Sequence, residues 1–132
     1  GDSRKDDIPE HDGLLTCPPY WNLEKYHSKE GLDRIKGWDN FLKDYELVWK
    51  RSIEKAKKGS KYCIVLGDWR KNHKYYDFVY QTEKIMEKLG MKPFDKVILS
   101  SKKQSKIKIM LPQAKRLGYS VKVHQLLLVF EK

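Results

Sequence analysis

The sequence predicts an α/β fold built on a mostly parallel sheet, and three observations predict it. Apolar strand-like runs alternate with amphipathic helical stretches along the chain, the order that feeds a sheet with helices packed on it. The run Tyr62-Cys63-Ile64-Val65-Leu66 is continuously apolar, as a strand covered on both faces would be. Two strand ends lead into unusual loops, Pro18-Pro19 and Gly67-Asp68-Trp69, and in open α/β sheets ligands gather at the carboxyl ends of strands.

Residues 1–12 are polar, contain Pro9 and read as an entering loop. Gly13-Leu14-Leu15-Thr16-Cys17 is a short strand. It stops at Pro18-Pro19, because a proline pair lacks the amide donors of a central strand. Residues 20–37 form a long loop rich in Tyr, Trp, His, Lys and Gly. From Trp38 to Lys58 the pattern turns helical, with Trp38, Phe41, Leu42, Tyr45, Val48, Trp49, Ile53 and Ala56 at spacings of three and four. Asp33 and Asp39 near its start and Lys57, Lys58 and Gly59 at its end are the matching start and stop signals. After the strand Tyr62–Leu66, a second helix covers Tyr75 to Leu89 with a stripe of Phe78, Val79, Thr82, Ile85, Met86 and Leu89, stopped by Gly90. Phe94 to Ser100 is the next strand. Residues 101–117 are basic and irregular, with a helical turn near Pro112. Val121 to Phe130 is the last strand, expected to run antiparallel to its neighbour in a hairpin.

A chain of 132 residues fits one domain and has no room for two. It is 39% hydrophobic and 35% charged, a globular balance and not a disordered one. No apolar run reaches the length of a membrane span and the first residues hold no signal core, so a cytoplasmic protein is expected. Cys17 and Cys63 are far apart and lie in strand-like runs, which reads as two reduced thiols. His11, His27, His73 and His124 are scattered, so no structural metal is expected. The formal net charge is +10, which favours a polyanionic partner. Its distribution is sharper: between Lys96 and Phe130 no acidic residue occurs, while Lys102, Lys103, Lys106, Lys108, Lys115, Arg116 and Lys122 all fall there. Such one-sided charge reads as a surface that tracks a phosphate backbone.

The segment Thr16-Cys17-Pro18-Pro19-Tyr20-Trp21 carries the chemistry. Two prolines stiffen the loop and remove local amide donors, leaving its carbonyls as acceptors aimed at a ligand. Tyr20 offers an aromatic face beside them. Stiff acceptors next to an aromatic plate suit the exocyclic amine of a flat heterocycle, with the amine hydrogens on the carbonyls and the ring stacked on Tyr20.

This segment resembles the Asp/Asn/Ser-Pro-Pro-aromatic motif of the amino-directed DNA methyltransferases, which make N6-methyladenine or N4-methylcytosine. Gly1-Asp2-Ser3-Arg4 is similar to a Gly-Asp segment that precedes this motif. Leu66-Gly67-Asp68-Trp69-Arg70 is similar to the strand end after the first helix. His124-Gln125-Leu126-Leu127-Leu128-Val129-Phe130 resembles the closing strand. These matches span almost the whole chain in order. The resemblance implies a Rossmann-like methyltransferase sandwich, S-adenosylmethionine as cofactor, DNA as partner and extrusion of the target base from the duplex. It implies a catalytic set of Cys17, Pro18, Pro19 and Tyr20, with Tyr20 and Trp21 against the base. Asp2, Thr16, Cys17 and Asp68 would face the cofactor, and Lys102, Lys103, Lys106, Lys108, Lys115 and Arg116 the DNA.

Two departures qualify the resemblance. Cys17 stands at the motif's first position, and a thiol is a poor acceptor beside a carboxylate, amide or hydroxyl. Cys is nearest Ser in size, which tilts the expected target toward cytosine N4. Direct N-methylation needs no covalent nucleophile, so Cys17 is not read as one. The second departure is that no Gly-x-Gly occurs in the chain, whereas the cofactor-binding half of these enzymes carries a Gly-rich loop. The chain is therefore expected to be the catalytic half, completed by another chain half or a second polypeptide. A non-catalytic DNA-binding module, or methylation of an amine on RNA or a protein glutamine, are the alternatives.

Overall fold

The fold is taken from a computed structural model, which describes residues 2–21, 23, 31–32, 35–100, 105–121 and 124–132, the side chains of 105–109 excepted. In chain order the elements are β1 (His11–Thr16), α1 (Trp38–Lys55), β2 (Ala56–Leu66), β3 (Trp69–Lys71), β4 (Lys74–Tyr76), α2 (Phe78–Lys88), β5 (Lys92–Ser100), α3 (Ser105–Leu117) and β6 (His124–Glu131). The four long strands form one sheet in the order β1-β2-β6-β5. β1 runs parallel to β2, while β6 lies between β2 and β5 and is antiparallel to both. The sheet is thus parallel at one end and antiparallel at the other. The expected α/β architecture and its closing antiparallel pair are present, but the sheet is mixed and not mostly parallel, because β6 inserts antiparallel between β2 and β5.

Helices α1 and α2 are both amphipathic. Phe41, Tyr45, Trp49, Ser52 and Ile53 are the buried stripe of α1, and Phe78, Val79, Thr82, Ile85 and Met86 that of α2. Both stripes pack on one face of the sheet, where Tyr62, Ile64, Leu66, Leu128 and Phe130 are buried with them in a single cluster. Burying a Leu, Ile or Phe side chain contributes about 1.5–3 kcal/mol, so this layer dominates the stability of the chain. The helices are also tied by a hydrogen bond between the hydroxyls of Tyr45 and Thr82, 3.2 Å apart. Deep burial pushes the Tyr45 phenol well above its ordinary range.

The other face of the sheet is different. Opposed residues share a face, so Leu15, Cys63 and Val129 form one row across it and Val65, Leu127 and Val97 a second. None of these six is buried; Leu15 is 76% exposed and Val97 40%. The expectation that the apolar run 62–66 is covered on both faces holds for one face only among the described residues. β1 and β5 are the two edges of the sheet, and β5 is exposed along its whole length.

Several boundaries differ from those expected. α1 ends at Lys55, not Lys58, because Ala56 turns extended (φ −74°, ψ 139°) and leads straight into β2. Lys57, Lys58 and Gly59 therefore belong to the strand. Lys132 takes over as the cap: its amine donates to the carbonyls of Ile53 (2.5 Å) and Ala56 (2.6 Å), where a cation suits a helix C-terminus. α2 starts at Phe78, not Tyr75, because Lys74–Tyr76 is the return strand of the β3–β4 hairpin. Residues 105–117 are not an irregular loop. They form α3, with Pro112 in its interior, where the missing amide removes one helical hydrogen bond without ending the helix. No helix among the described residues is long and apolar enough to cross a membrane.

Candidate functional site

β1 delivers Cys17 and the two prolines to the carboxyl edge of the sheet, beside Gly67 at the end of β2. Pro18 is buried, Pro19 half-buried and Cys17 exposed as a free thiol. Among the described residues, none of the turn hydrogen bonds ends on the carbonyl of Cys17 or Pro18.

Tyr20 sits where three elements meet. Gln125, at the start of β6, donates from Nε2 to the Tyr20 hydroxyl at 3.2 Å. The Tyr20 ring meets Trp69 edge-on at 5.2 Å and Phe78 at 5.9 Å. Gly67 lies beneath the hydroxyl: a Cβ there would be 3.7 Å from the Tyr20 oxygen and 3.7 Å from the carbonyl of His124. The phenol is therefore held at its tip and along its edges, and the ring remains half-buried.

Trp21 is placed differently. Its indole Nε1–H donates to the carbonyl of Ile35 at 2.7 Å, and its ring lies 5.8 Å from Trp38 and 5.5 Å from Tyr76. Trp38 in turn stacks on Phe41 at 5.5 Å and meets Trp69 edge-on at 5.6 Å. An aromatic wall thus runs from the core under α1 out to Tyr20. Trp21 is one of its courses, which gives the ring a packing role.

The acidic candidates are engaged elsewhere. Asp68 Oδ1 accepts from the amide of Val79 at 2.9 Å and Oδ2 from the Tyr75 hydroxyl at 2.5 Å, so the carboxylate caps the start of α2. Asp2 accepts from the amide and Nε of Arg4 on Oδ1 and from its Nη2 on Oδ2. The Arg4 hydrogen bonds lower the Asp2 carboxyl to about 2. Arg4 also bonds Asp44 on α1 at 2.7 Å, so Asp2 belongs to a latch between the chain's first turn and that helix. Of the residues expected to face a cofactor, Thr16 and Cys17 are at the loop. Thr16 is half-buried and Cys17 exposed there, while Asp2 and Asp68 are held in the contacts just described.

Of the basic candidates, Lys115 and Arg116 are exposed in the last turn of α3. Lys102 and Lys103, and the side chains of Lys106 and Lys108, lie outside the described residues. Sequence reading missed Gln125 as the partner of Tyr20, the Trp38–Trp69–Tyr76 part of the wall, and the β3–β4 hairpin. His124, whose place on an apolar strand suggests a satisfied structural histidine, is exposed at the start of β6.

No family profile matches this sequence, and no curated protein is significantly similar to it. Solved structures do match. A protein of Thermus thermophilus, provisionally assigned as a DNA modification methylase and solved with S-adenosyl-L-methionine, superposes over 100% of this chain with a TM-score of 0.71 at 23% identity. A selenomethionine form of the same protein gives 0.70 at 21%. PvuII DNA methyltransferase, cytosine-N4-specific, superposes over 99% of the chain with a TM-score of 0.65 at 15% identity. The chain spans about half the length of each, 53%, 50% and 47% respectively. The fold defined by β1–β2–β6–β5 and its two covering helices is therefore the one that these solved structures contain in about half of their length.

Proposed function

We propose that this chain is the base-holding half of an S-adenosylmethionine-dependent DNA methyltransferase that acts on an exocyclic amine. The observation that carries the reading is the Cys17-Pro18-Pro19-Tyr20 loop at the carboxyl end of β1, with Tyr20 pinned by Gln125 over Gly67, within that fold. The cofactor would supply an electrophilic methyl group. This chain's own residues hold the acceptor: the carbonyls of Cys17 and Pro18 take the amine hydrogens and turn the nitrogen lone pair toward the methyl donor, while Tyr20 stacks on the ring. Extruding a base costs a few kcal/mol, and stacking on an aromatic side chain returns about 1–3 kcal/mol, so Tyr20 offsets much of the cost. Positioning then supplies the rate. Cytosine N4 ranks ahead of adenine N6, since Cys17 is nearest Ser in size and one similar structure is a cytosine-N4-specific enzyme.

On the same reading, the cofactor side is completed by a second half. Among the described residues, the partly covered apolar face with exposed Leu15 and Val97, the unpaired β1 edge and the twofold length of the similar structures all support a second half that adds a strand beside β1, covers that face and brings the Gly-rich loop. A non-catalytic DNA-binding module is the competing reading, favoured by the engagement of Asp2 and Asp68 in structural contacts. Calorimetry with S-adenosylmethionine separates the two. The protein carrying both halves is expected to bind the cofactor one to one, and absence of binding there would favour the module.

A further inference from the structure

The β3–β4 hairpin rises directly from the rim of the site. Trp69 at its base touches the Tyr20 ring and stacks on Tyr76 at the other foot, with ring centres 5.2 Å apart. The stretch Trp69-Arg70-Lys71-Asn72-His73-Lys74-Tyr75-Tyr76 has four basic or imidazole side chains and no acidic one. Its two-residue loop is Asn72-His73, both at positive φ (49° and 64°), the geometry of a type I′ turn. Glycine would adopt that conformation at the second position without strain; a histidine does so at a cost, and such strain gathers at functional positions. Arg70 is held in a defined place. Its guanidinium lies 5.1 Å from the centre of the Tyr75 ring and 5.0 Å from that of Tyr119. Tyr119 follows the end of α3, its amide bonded to the carbonyl of Ala114. The hairpin is thereby linked to the helix turn that exposes Lys115 and Arg116, and the two elements form one basic rim beside Tyr20.

We propose that this hairpin is a phosphate-contacting finger, with Arg70 as its anchor, that grips the DNA backbone next to the extruded base. A guanidinium between two aromatic rings keeps its planar fork oriented, which suits bidentate contact with a phosphate. Arg70, Lys71 and Lys74 supply the charge, and the Asn72-His73 tip enters or lies along a groove. The finger holds the duplex while Tyr20 takes the base. The proposal rests on the methyltransferase reading of the loop but assigns target contact to a segment distinct from 101–117.

The test is the salt dependence of binding to a short mixed-sequence DNA duplex, measured with this chain by fluorescence anisotropy. Each phosphate contact contributes about one unit to the slope of log affinity against log salt. Arg70→Gln is expected to reduce the slope by about one unit and Arg70→Gln with Lys71→Gln and Lys74→Gln by about three. A control pair on the outer faces of the helices, Lys50→Gln with Lys84→Gln, leaves it unchanged. Circular dichroism monitors folding. Should the triple variant not fold, Lys71→Gln with Lys74→Gln alone is expected to remove about two units. A wild-type slope in the hairpin variants, or an equal loss in the control, overturns the finger while leaving the base-holding reading intact. Absence of any duplex binding by the wild-type chain also overturns the finger, whereas the base-holding reading stands or falls on methyl transfer by the complete enzyme.

Discussion

The proposed stacking role of Tyr20 requires that the ring be held, and the contact that fixes its hydroxyl comes from Gln125, more than a hundred positions along the chain. The Pro-Pro-Tyr loop was legible because its chemistry is local: prolines and an aromatic in four residues. The hydrogen bond from Gln125 carries no local signal and had to be seen in space. Gly67 tests this arrangement. Alanine fits, since its Cβ meets neighbours at ordinary contact distance, so Gly67→Ala is expected to shift stability by less than about 0.5 kcal/mol. Gly67→Leu pushes the phenol from its place and is expected to lower methyl transfer by the complete enzyme by about 100-fold, the scale of an ångström misplacement. Kinetics of the two variants side by side check this. Asp2 gives a pH prediction. Its folded value, about 2, lies below its ordinary 3.8 because Arg4 bonds the charged form. The latch therefore contributes fully above about pH 4 and is lost as pH falls through about 2. The difference in thermal midpoint between wild type and Asp2→Asn is expected to be constant at neutral pH and to shrink between those values.

At the scale of elements, periodicity found α1 and α2 because their buried stripes repeat every three or four residues, and it found the four long strands. It missed the β3–β4 hairpin, whose Lys71-Asn72-His73-Lys74 turn lacks the Asn-Gly or Asp-Gly pair that marks such turns. It missed α3 because Pro112 and a run of lysines look like loop chemistry, although one interior proline costs a single hydrogen bond and some strain. Two substitutions test the hairpin and its neighbour. His73→Gly relieves a left-handed residue and is expected to stabilise the chain by about 1 kcal/mol. Asp68→Ala removes the acceptor for the Val79 amide and is expected to cost about 1 kcal/mol, as losses of helix caps do. Chemical denaturation of each variant measures both.

For the whole molecule, the continuous apolar run of β2 announced two covered faces, and among the described residues one is buried while the other is only partly covered. That mismatch between sequence pattern and structure is itself informative, because strands buried on both sides are built that way only when something packs on each. Leu15→Ser and Val97→Thr are therefore expected to change the stability of this chain by no more than about 0.5 kcal/mol, as exposed positions do, and to destabilise the complete enzyme by more than that. Thermal unfolding of both forms checks the difference. The central claim is that the Cys17–Tyr20 loop holds the amine of a DNA base for methylation. Its most direct test is transfer of labelled methyl from S-adenosylmethionine to DNA by the complete enzyme, with the modified nucleoside identified by mass spectrometry. The wild type is expected to yield N4-methylcytosine or N6-methyladenine, and Tyr20→Ala to abolish transfer while cofactor affinity is nearly unchanged. Label that enters only RNA or protein, or wild-type turnover by Tyr20→Ala, would contradict it.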